Sequence, residues 1–493
     1  MRIALRADAS PTIGFGHVAR CLALGEALVR DGHGVALLGA EPPAPLRDLA
    51  MQTGVTHLEV AARGQRADAA ASIDAIGRWG GADVCFVDSY ALGVEWEAAV
   101  RESGCAVAVI DDLGREHACD LLIDANPGAA GDRYRGRVDP QAWLLLGPRY
   151  AMLRGGFGEW HRRTSVRRQV ARVLVSYGGT DPTGETPKAL EALASLAGVA
   201  VDVVVTSAHP QLQRVRALAA GASHIALHVD HPGLERILAE TDLALGAAGV
   251  SALERACLGV PSLLTVVADN QSAGSAALAD AGAAVPLGEA ATVTPARLRA
   301  AVEGVRACPD WLARMSARCL AMVDGRGAAR VASALASLHL ELRRATLDDA
   351  QPMFEWRDDP RTRARSLDPR PLDWEVHRRW LAQRIADREC DLLIASDTLG
   401  PVGVLRFDAA GSSATVSIYL VPQRQGTGLG APLLRAGERW LQHNRPQVSE
   451  LRATVLESNH ASLRVFADAG YDGARRELVR VLPPGGSTGG GSA

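Results

Sequence analysis

The sequence predicts an α/β chain: two successive Rossmann-like halves, each a parallel sheet covered by helices, followed by a smaller domain of α+β type. Three observations carry this expectation. Apolar runs alternate with helical patterns as far as about Leu340, which is the grammar of strands buried on both faces. Glycine-rich turns follow several of these runs. After Leu340 the runs change to a pattern resembling antiparallel hairpins. The length of 493 residues, set against about 150 residues per domain, agrees with three domains.

In chain order, Ile3-Ala-Leu-Arg-Ala7 leads through a glycine-rich turn into a helical pattern of Leu22, Leu24, Ala27 and Leu28 that stops near Asp31-Gly-His-Gly. The apolar runs Val35 to Leu38, Val84 to Val87, Ala106 to Ile110 and Leu121 to Ile123 repeat that unit and complete a first half over 1–150. The pattern restarts at Val173 to Ser176 and continues with Val201 to Thr206, Ile225 to His228, Leu243 to Leu245 and Ser262 to Val266, giving a second half over 151–340. Two such halves imply a cleft walled by the carboxyl ends of both sheets. The third domain, 341–482, has a helix from Leu347 and strands at Leu392 to Ala395, Val402 to Phe407 and Ala414 to Val421. The segment 483–493 is Pro, Gly, Ser and Thr without an apolar anchor and is expected to be disordered.

Composition removes several function classes. There are 53 Lys plus Arg against 56 Asp plus Glu, a net charge of −3, and only 4% aromatic residues, so neither a polyanion-binding surface nor a base-stacking platform is expected and nucleic acid is a poor partner. Lys188 is the only lysine. It sits in Glu-Thr-Pro-Lys-Ala-Leu, which is neither a Walker A loop nor a Schiff-base setting. The 8 cysteines form no Cys-x-x-Cys, and no signal segment or membrane span is present, so reduced thiols in a cytoplasmic protein are expected.

Four groups of residues suggest chemistry. In Ser10-Pro-Thr-Ile-Gly-Phe-Gly-His17, Gly14 and Gly16 allow a ligand to approach closely. His17 falls at a helix start, where the positive end of the dipole keeps a neutral base available. A histidine that only caps a turn gives the same pattern. Asp88-Ser-Tyr90 and Asp111-Asp112 follow strands of the same half. Their carboxylates suit Mg²⁺, a sugar amine or plain helix capping. In the second half, Gly178-Gly-Thr180, Gly249-Val-Ser251 with Glu254, and Asn270-Gln271 occupy three strand-to-helix turns. Backbone amides there suit a pyrophosphate, and Glu254 suits ribose hydroxyls. Each alone is an ordinary turn, but together they lie on one edge. In the third domain Gln423-Arg-Gln-Gly426-Thr-Gly428-Leu-Gly430 is a glycine nest opening a helix, with Asn459 starting another. His224, His228 and His231 lie on a strand and a turn, so no metal site is expected from them.

The residues Ile13-Gly-Phe-Gly-His-Val-Ala-Arg-Cys-Leu22, Val87-Asp-Ser-Tyr90, Ile110-Asp-Asp112 and Leu146-Gly-Pro-Arg-Tyr-Ala-Met-Leu-Arg154 resemble the UDP-2,4-diacetamido-2,4,6-trideoxy-β-L-altropyranose hydrolases of pseudaminic acid biosynthesis, over roughly 1–335. That family is similar in fold to the GT-B glycosyltransferases. The resemblance implies that His17 activates water, and that Gly14, Gly16, Asp88, Tyr90, Gly178, Gly179, Thr180, Gly249, Ser251, Glu254, Asn270 and Gln271 hold the UDP-sugar. Residues from Leu342 to about Leu482 resemble the GNAT acetyltransferases. This implies acetyl-CoA as co-substrate along Leu420, Val421, Gln425, Gly426, Thr427, Gly428, Leu429, Gly430 and Asn459. Trp356-Arg-Asp-Asp-Pro360 and His377-Arg-Arg-Trp380 resemble the subgroup that acetylates the UDP-4-amino-sugar of the same pathway. One position departs: Phe466 stands seven residues after Asn459, where the family usually offers a tyrosine as general acid. Either a bound water or a neighbouring hydroxyl then protonates the departing thiolate, or the domain is weakened.

The resemblances imply a bifunctional enzyme that N-acetylates a UDP-4-amino-sugar and then hydrolyses the product to free sugar and UDP, with a small-molecule nucleotide sugar as partner and no metal. The alternative is a GT-B glycosyltransferase whose GNAT domain is a non-catalytic binding module.

Overall fold

The computed structural model describes every residue except 11–14, 63, 180, 232, 269–270, 398, 472–476 and 482–493. Gly14, Thr180, Asn270 and the tail 483–493 therefore lie outside the described residues. The chain forms two compact units, Arg2–Val138 with Leu144–Ala329, and Arg330–Ala493 with Met1 and Asp139–Trp143.

The first sheet contains β1 (Arg2–Ala7), β2 (Gly34–Gly39), β3 (Thr56–Glu59), β4 (Val84–Asp88), β5 (Ala106–Ile110), β6 (Leu121–Asp124) and β7 (Trp143–Leu146), in the order β3-β2-β1-β4-β5-β6-β7. The pairs from β3 through β6 are parallel. The second contains β8 (Arg172–Ser176), β9 (Ala200–Val205), β10 (Ile225–Val229), β11 (Leu243–Ala247), β12 (Ser262–Val266) and β13 (Ala284–Glu289), in the order β10-β9-β8-β11-β12-β13, all parallel. The strand order of both sheets reverses once, between β1 and β4 and between β8 and β11. These are the topological switch points, where the loops leaving two adjacent strands diverge and open a crevice. Strand β4, Val-Cys-Phe-Val-Asp, is buried from end to end, as its unbroken apolar run requires of a central parallel strand.

Three strands of these two sheets are not among the runs singled out above. Thr56–Glu59 is a half-exposed edge strand, and Trp143–Leu146, a short apolar run, lies at the opposite edge. Ala284–Glu289 is interrupted by Pro286 and Gly288, which its place at the sheet edge and a register shift at Leu264/Thr265 accommodate.

The third sheet runs β14 (Glu341–Arg344), β15 (Cys390–Asp397), β16 (Gly400–Ala410), β17 (Ser413–Leu420), β18 (Glu450–Thr454) and β19 (Glu477–Val481) in sequence order. All pairs are antiparallel except β17 with β18. That parallel pairing joins only Ser413–Thr415 to Glu450–Arg452, whereas β17 stays with β16 as far as Leu420. Beyond Thr415 the two strands part, and one edge of β17 has no strand partner. The helix Gly430–Asn444 covers one face of the sheet through Leu433, Leu434 and Leu441. The helices Ala350–Asp358 and Trp374–Ala386 cover Leu392, Ile394 and Val404 on the other.

Gly246 in β11 marks the tightest point beside the second switch. A methyl group there would run into the Arg255 guanidinium and lie 2.5 Å from the Ser176 carbonyl. Arg255 is buried and donates to the Ala247 carbonyl at 2.6 Å. Overpacking of this kind costs about 1–3 kcal/mol. Gly246→Ala is therefore expected to lower the thermal unfolding midpoint by several degrees, read by calorimetry; an unchanged midpoint would show that Arg255 moves aside freely.

Candidate active site

In the unit holding the first two sheets, a cavity of about 330 Å³ is bordered by both switch points. Gly16, His17, Arg20, Tyr90, Asp112, Asn126 and Arg133 line it from the first half, and Gly249, Val250, Leu253, Gln271 and Gly274 line it from the second.

The helix Gly16–Arg30 leaves the loop after β1, so His17 sits in its first turn, while Asp88 is the last residue of the neighbouring β4. Their side chains meet across the switch point, with His17 Nδ1 2.5 Å from Asp88 Oδ1. Arg20, one turn further along the helix, grips the same carboxylate through Nε and Nη2, both at 2.7 Å. Burial pushes the Asp88 carboxyl up, but the Arg20 charge and the His17 and Arg20 hydrogen bonds outweigh it and hold it below the usual range. An ionised carboxylate only accepts, so Nδ1 carries the proton and Nε2 is left as the nitrogen with a free lone pair. Tyr90 packs edge-on against the ring, with centroids 5.1 Å apart. Asp88, expected to contact substrate, instead lies buried behind His17 with 2% exposure and orients it.

The paired carboxylates separate. Asp111 turns into its own loop, accepting from the backbone of Gly114 and Arg115 and from Arg115 Nε. Asp112 faces the cavity and accepts the Tyr90 hydroxyl at 2.8 and 2.9 Å. Behind Asn126 and Arg133 stands Asp124, the last residue of β6 and fully buried. It accepts from Asn126 Nδ2 at 3.1 Å, Arg133 Nη1 at 3.2 Å and the Tyr134 hydroxyl at 2.9 Å.

From the second half, the helices Val250–Cys257 and Ser272–Asp280 begin at the cavity, capped by Gly249 and Gln271. Neither has a side-chain capping bond or an acidic residue in its first turn. Their first amides are thus available to an anion. Ser251, Glu254, Gly178 and Gly179 are not among the residues lining this cavity. Burial raises the Glu254 carboxyl against the pull of Arg154 and Arg255. Gly178 adopts φ +90, and the Gly179 carbonyl accepts the Thr206 hydroxyl at 2.5 Å. Nearby, Lys188 donates to Glu185 at 2.7 Å and to the Ala290 carbonyl at 2.8 Å.

In the other unit, Gly426 (φ 82) and Gly428 (φ 81) carry the chain from the end of β17 into the helix Gly430–Asn444, capped by Leu429 and without acidic residues in its first turn. Thr427 bonds back to the Arg424 carbonyl at 2.6 Å. Gln425 reaches Thr362 at 2.9 Å and the Leu420 carbonyl at 3.4 Å, and Val421 is buried. Asn459 caps the helix His460–Ala469 through the Ser462 amide at 3.2 Å. The parted strands and this glycine nest fit an extended amide chain ending in a diphosphate. Phe466 is buried in the core, its ring 4.9 Å from that of Tyr471. His377 and Trp380 stack at 5.7 Å beside Phe354 and Trp374.

Among the described residues no group of three or more His, Cys, Asp or Glu is arranged to hold a metal ion. His228 pairs with Asp202 at 2.8 Å and His224 with the Leu193 carbonyl at 3.1 Å. No helix among the described residues is long and apolar enough to cross a membrane. The 8 cysteines are free, with only Cys308 exposed. Sequence reasoning missed Arg20, Asn126 and Arg133. The spacing of Arg20 three residues after His17 is the one local signal that points to it.

Fold and site define a fusion of two enzyme modules, a GT-B-like pair of Rossmann-like halves and an acetyltransferase. Residues 339–472 match the Acetyltransferase (GNAT) domain family. Over 247 residues, 49% of this chain and 83% of the relative, the chain is 22% identical to the UDP-2,4-diacetamido-2,4,6-trideoxy-beta-L-altropyranose hydrolase of Campylobacter jejuni. It is 26% identical to the spore coat polysaccharide biosynthesis protein SpsG of Bacillus subtilis over 43% of this chain and 64% of that protein. Among solved structures, MurG of Acinetobacter baumannii is similar with a TM-score of 0.49 and 17% identity, covering 67% of this chain and 97% of that one.

Because the Asp88 pKa is depressed in the folded chain, the stability it contributes is complete above its unfolded value of about 3.9 and is lost as the pH falls through the depressed one. Between about pH 5 and about pH 2 the wild-type unfolding free energy is expected to fall more steeply than that of Asp88→Asn in denaturant titrations. Parallel slopes would mean that this ionised carboxylate does not bind the switch point together.

Proposed function

We propose that the chain is a bifunctional enzyme acting on a UDP-linked amino sugar: the GNAT domain transfers an acetyl group from acetyl-CoA to the sugar amine, and the cleft then hydrolyses the acetylated UDP-sugar. The substrate is UDP-4-amino-4,6-dideoxy-N-acetyl-β-L-altrosamine, which already carries one N-acetyl group, and acetylation of its 4-amine gives the diacetamido sugar that the Campylobacter hydrolase is named for. The observation that carries the hydrolytic reading is the His17–Asp88 bond of 2.5 Å at the edge of a cavity whose other wall offers two helix starts without side-chain capping bonds.

In this reading the diphosphate rests on the first amides of Val250–Cys257 and Ser272–Asp280, which stabilise charge as it develops on the leaving group. His17 Nε2 takes a proton from water while the water oxygen bonds to the anomeric carbon. The bond from that carbon to the diphosphate oxygen breaks, and its electron pair leaves with UDP. Attack from the face opposite the departing group inverts the anomeric centre. Asp88 holds the ring in the tautomer the step needs and stabilises the imidazolium that forms. In the acetyltransferase domain Gly426, Thr427, Gly428 and the start of Gly430–Asn444 hold the diphosphate of acetyl-CoA, and the free edge of β17 near Leu420 receives its amide arm.

Purified chain supplied with UDP-sugar and no acceptor is expected to release UDP, which a glycosyltransferase does only slowly. His17→Asn should cut UDP release roughly 10²- to 10⁴-fold and leave acetyl-CoA-dependent CoA release intact. Replacing Gly426 and Gly428 with valine, which tolerates positive φ poorly, should do the reverse when UDP release is read with pre-acetylated substrate. Undiminished UDP release from His17→Asn would remove the proposed base.

A further inference from the structure

The wall of the cleft opposite the helix starts carries a polar set that neither the base nor the diphosphate uses. Arg133 reaches the cavity through a path that only a glycine at 114 leaves open: a methyl there would lie 2.9 Å from Arg133 Nε and 3.0 Å from its Cγ. The guanidinium is then pinned at two points, to the buried Asp124 at 3.2 Å and to the Asp112 carbonyl at 2.7 Å. Asn126 is fixed by the same Asp124 oxygen through both its backbone N–H (3.0 Å) and its side-chain amide (3.1 Å). The Asp124 carboxylate receives four hydrogen bonds from three residues here and is not among the residues lining this cavity. A buried carboxylate spent on orienting two cavity-lining donors is a binding wall held rigid from behind. Beside them the Asp112 carboxylate supplies an acceptor, steadied by Tyr90.

One acceptor next to two donors is the complement of a secondary amide, whose N–H donates and whose carbonyl accepts. With the diphosphate on the helix starts of the second half and the anomeric carbon within reach of His17, the sugar ring falls against this wall. We propose that Asp112, Asn126 and Arg133 read the N-acyl substituent that acetylation adds to the sugar, so that the hydrolytic cleft selects the acetylated nucleotide sugar over its free-amine precursor. This rests on the reading of the cleft as a UDP-sugar hydrolase. A protonated amine satisfies Asp112 but gives the cleft-facing Arg133 donors no acceptor and sets a like charge before them, whereas the acetamide satisfies both. Arg133 therefore sets the order of the two reactions, acetylation before hydrolysis, without any transfer of product between sites. Asp124 is the positioning residue behind it.

The test measures UDP release by the full chain, without acetyl-CoA, from the diacetamido UDP-sugar and from its 4-amino precursor. The wild type is expected to favour the acetylated substrate in kcat/KM. Arg133→Gln and Asn126→Ala should each lower that preference, roughly tenfold or more for Arg133→Gln. Asp124→Ala should lower it too, and Asp124→Asn, whose single amide oxygen can still accept from Asn126, should restore part of it. A purely structural loss moves both substrates together and leaves the ratio unchanged. An unchanged ratio in both Arg133→Gln and Asn126→Ala, with unfolding midpoints like the wild type, overturns the inference while the hydrolase reading stands; so does a wild type that accepts both substrates equally. If the wild type releases UDP from neither, the hydrolase reading falls and takes this one with it.

Discussion

A buried carboxylate shared by an imidazole and a guanidinium organises the larger unit. Asp88 closes the central strand of the first sheet, and His17 and Arg20 come from the helix that follows the adjacent strand. The ion pair thus ties together the two elements between which the sheet changes direction. Isolated, a carboxylate with 2% exposure would be costly. Here a bidentate arginine supplies the countercharge, and the histidine hydrogen bond both satisfies the remaining lone pair and selects a tautomer. The same contacts that tie the switch point together fix the ring's tautomer and orientation, so in the proposed mechanism folding and chemistry rest on one set of bonds.

The two halves divide labour along this line. The first half contributes side chains with protons to hold or move, namely His17, Tyr90, Asp112 and Arg133. The second contributes mostly backbone, through Gly249, Val250, Ala273 and Gly274. Helix starts bind an anion with little regard to what is attached to it, whereas side chains discriminate. In the proposed function, recognition of the nucleotide end and choice of the sugar end are therefore built from different materials.

Much of this was legible because buried parallel strands are continuous apolar runs: Ala106–Ile110 and Ser262–Val266 appear in the sequence with the limits they have in the structure. Two edge strands were not. Thr56–Glu59 is too polar, and Ala284–Glu289 is broken by Pro286 and Gly288, because an edge does not demand full burial or every backbone donor. His17, Gly16, Tyr90, Gly249 and Gln271 do meet around one cavity, since strand-to-helix turns of one sheet open at one edge. Arg133 and Asn126 look like any loop residues until Asp124 is seen behind them. Nor does sequence show that β17 and β18 pair over only three residues, since register between strands thirty residues apart is a tertiary property.

Lys188, held by Glu185 and a main-chain carbonyl, is the one side-chain amine in 493 residues. Arginine does not lose its proton at working pH and so is no acyl acceptor. If the third domain handles an activated thioester, the side chains therefore offer that reagent a single amine to modify. Apart from the α-amine, amine-directed labels and cross-linkers would meet one side-chain ammonium, already engaged in an ion pair, so on side chains they report through one position or hardly at all.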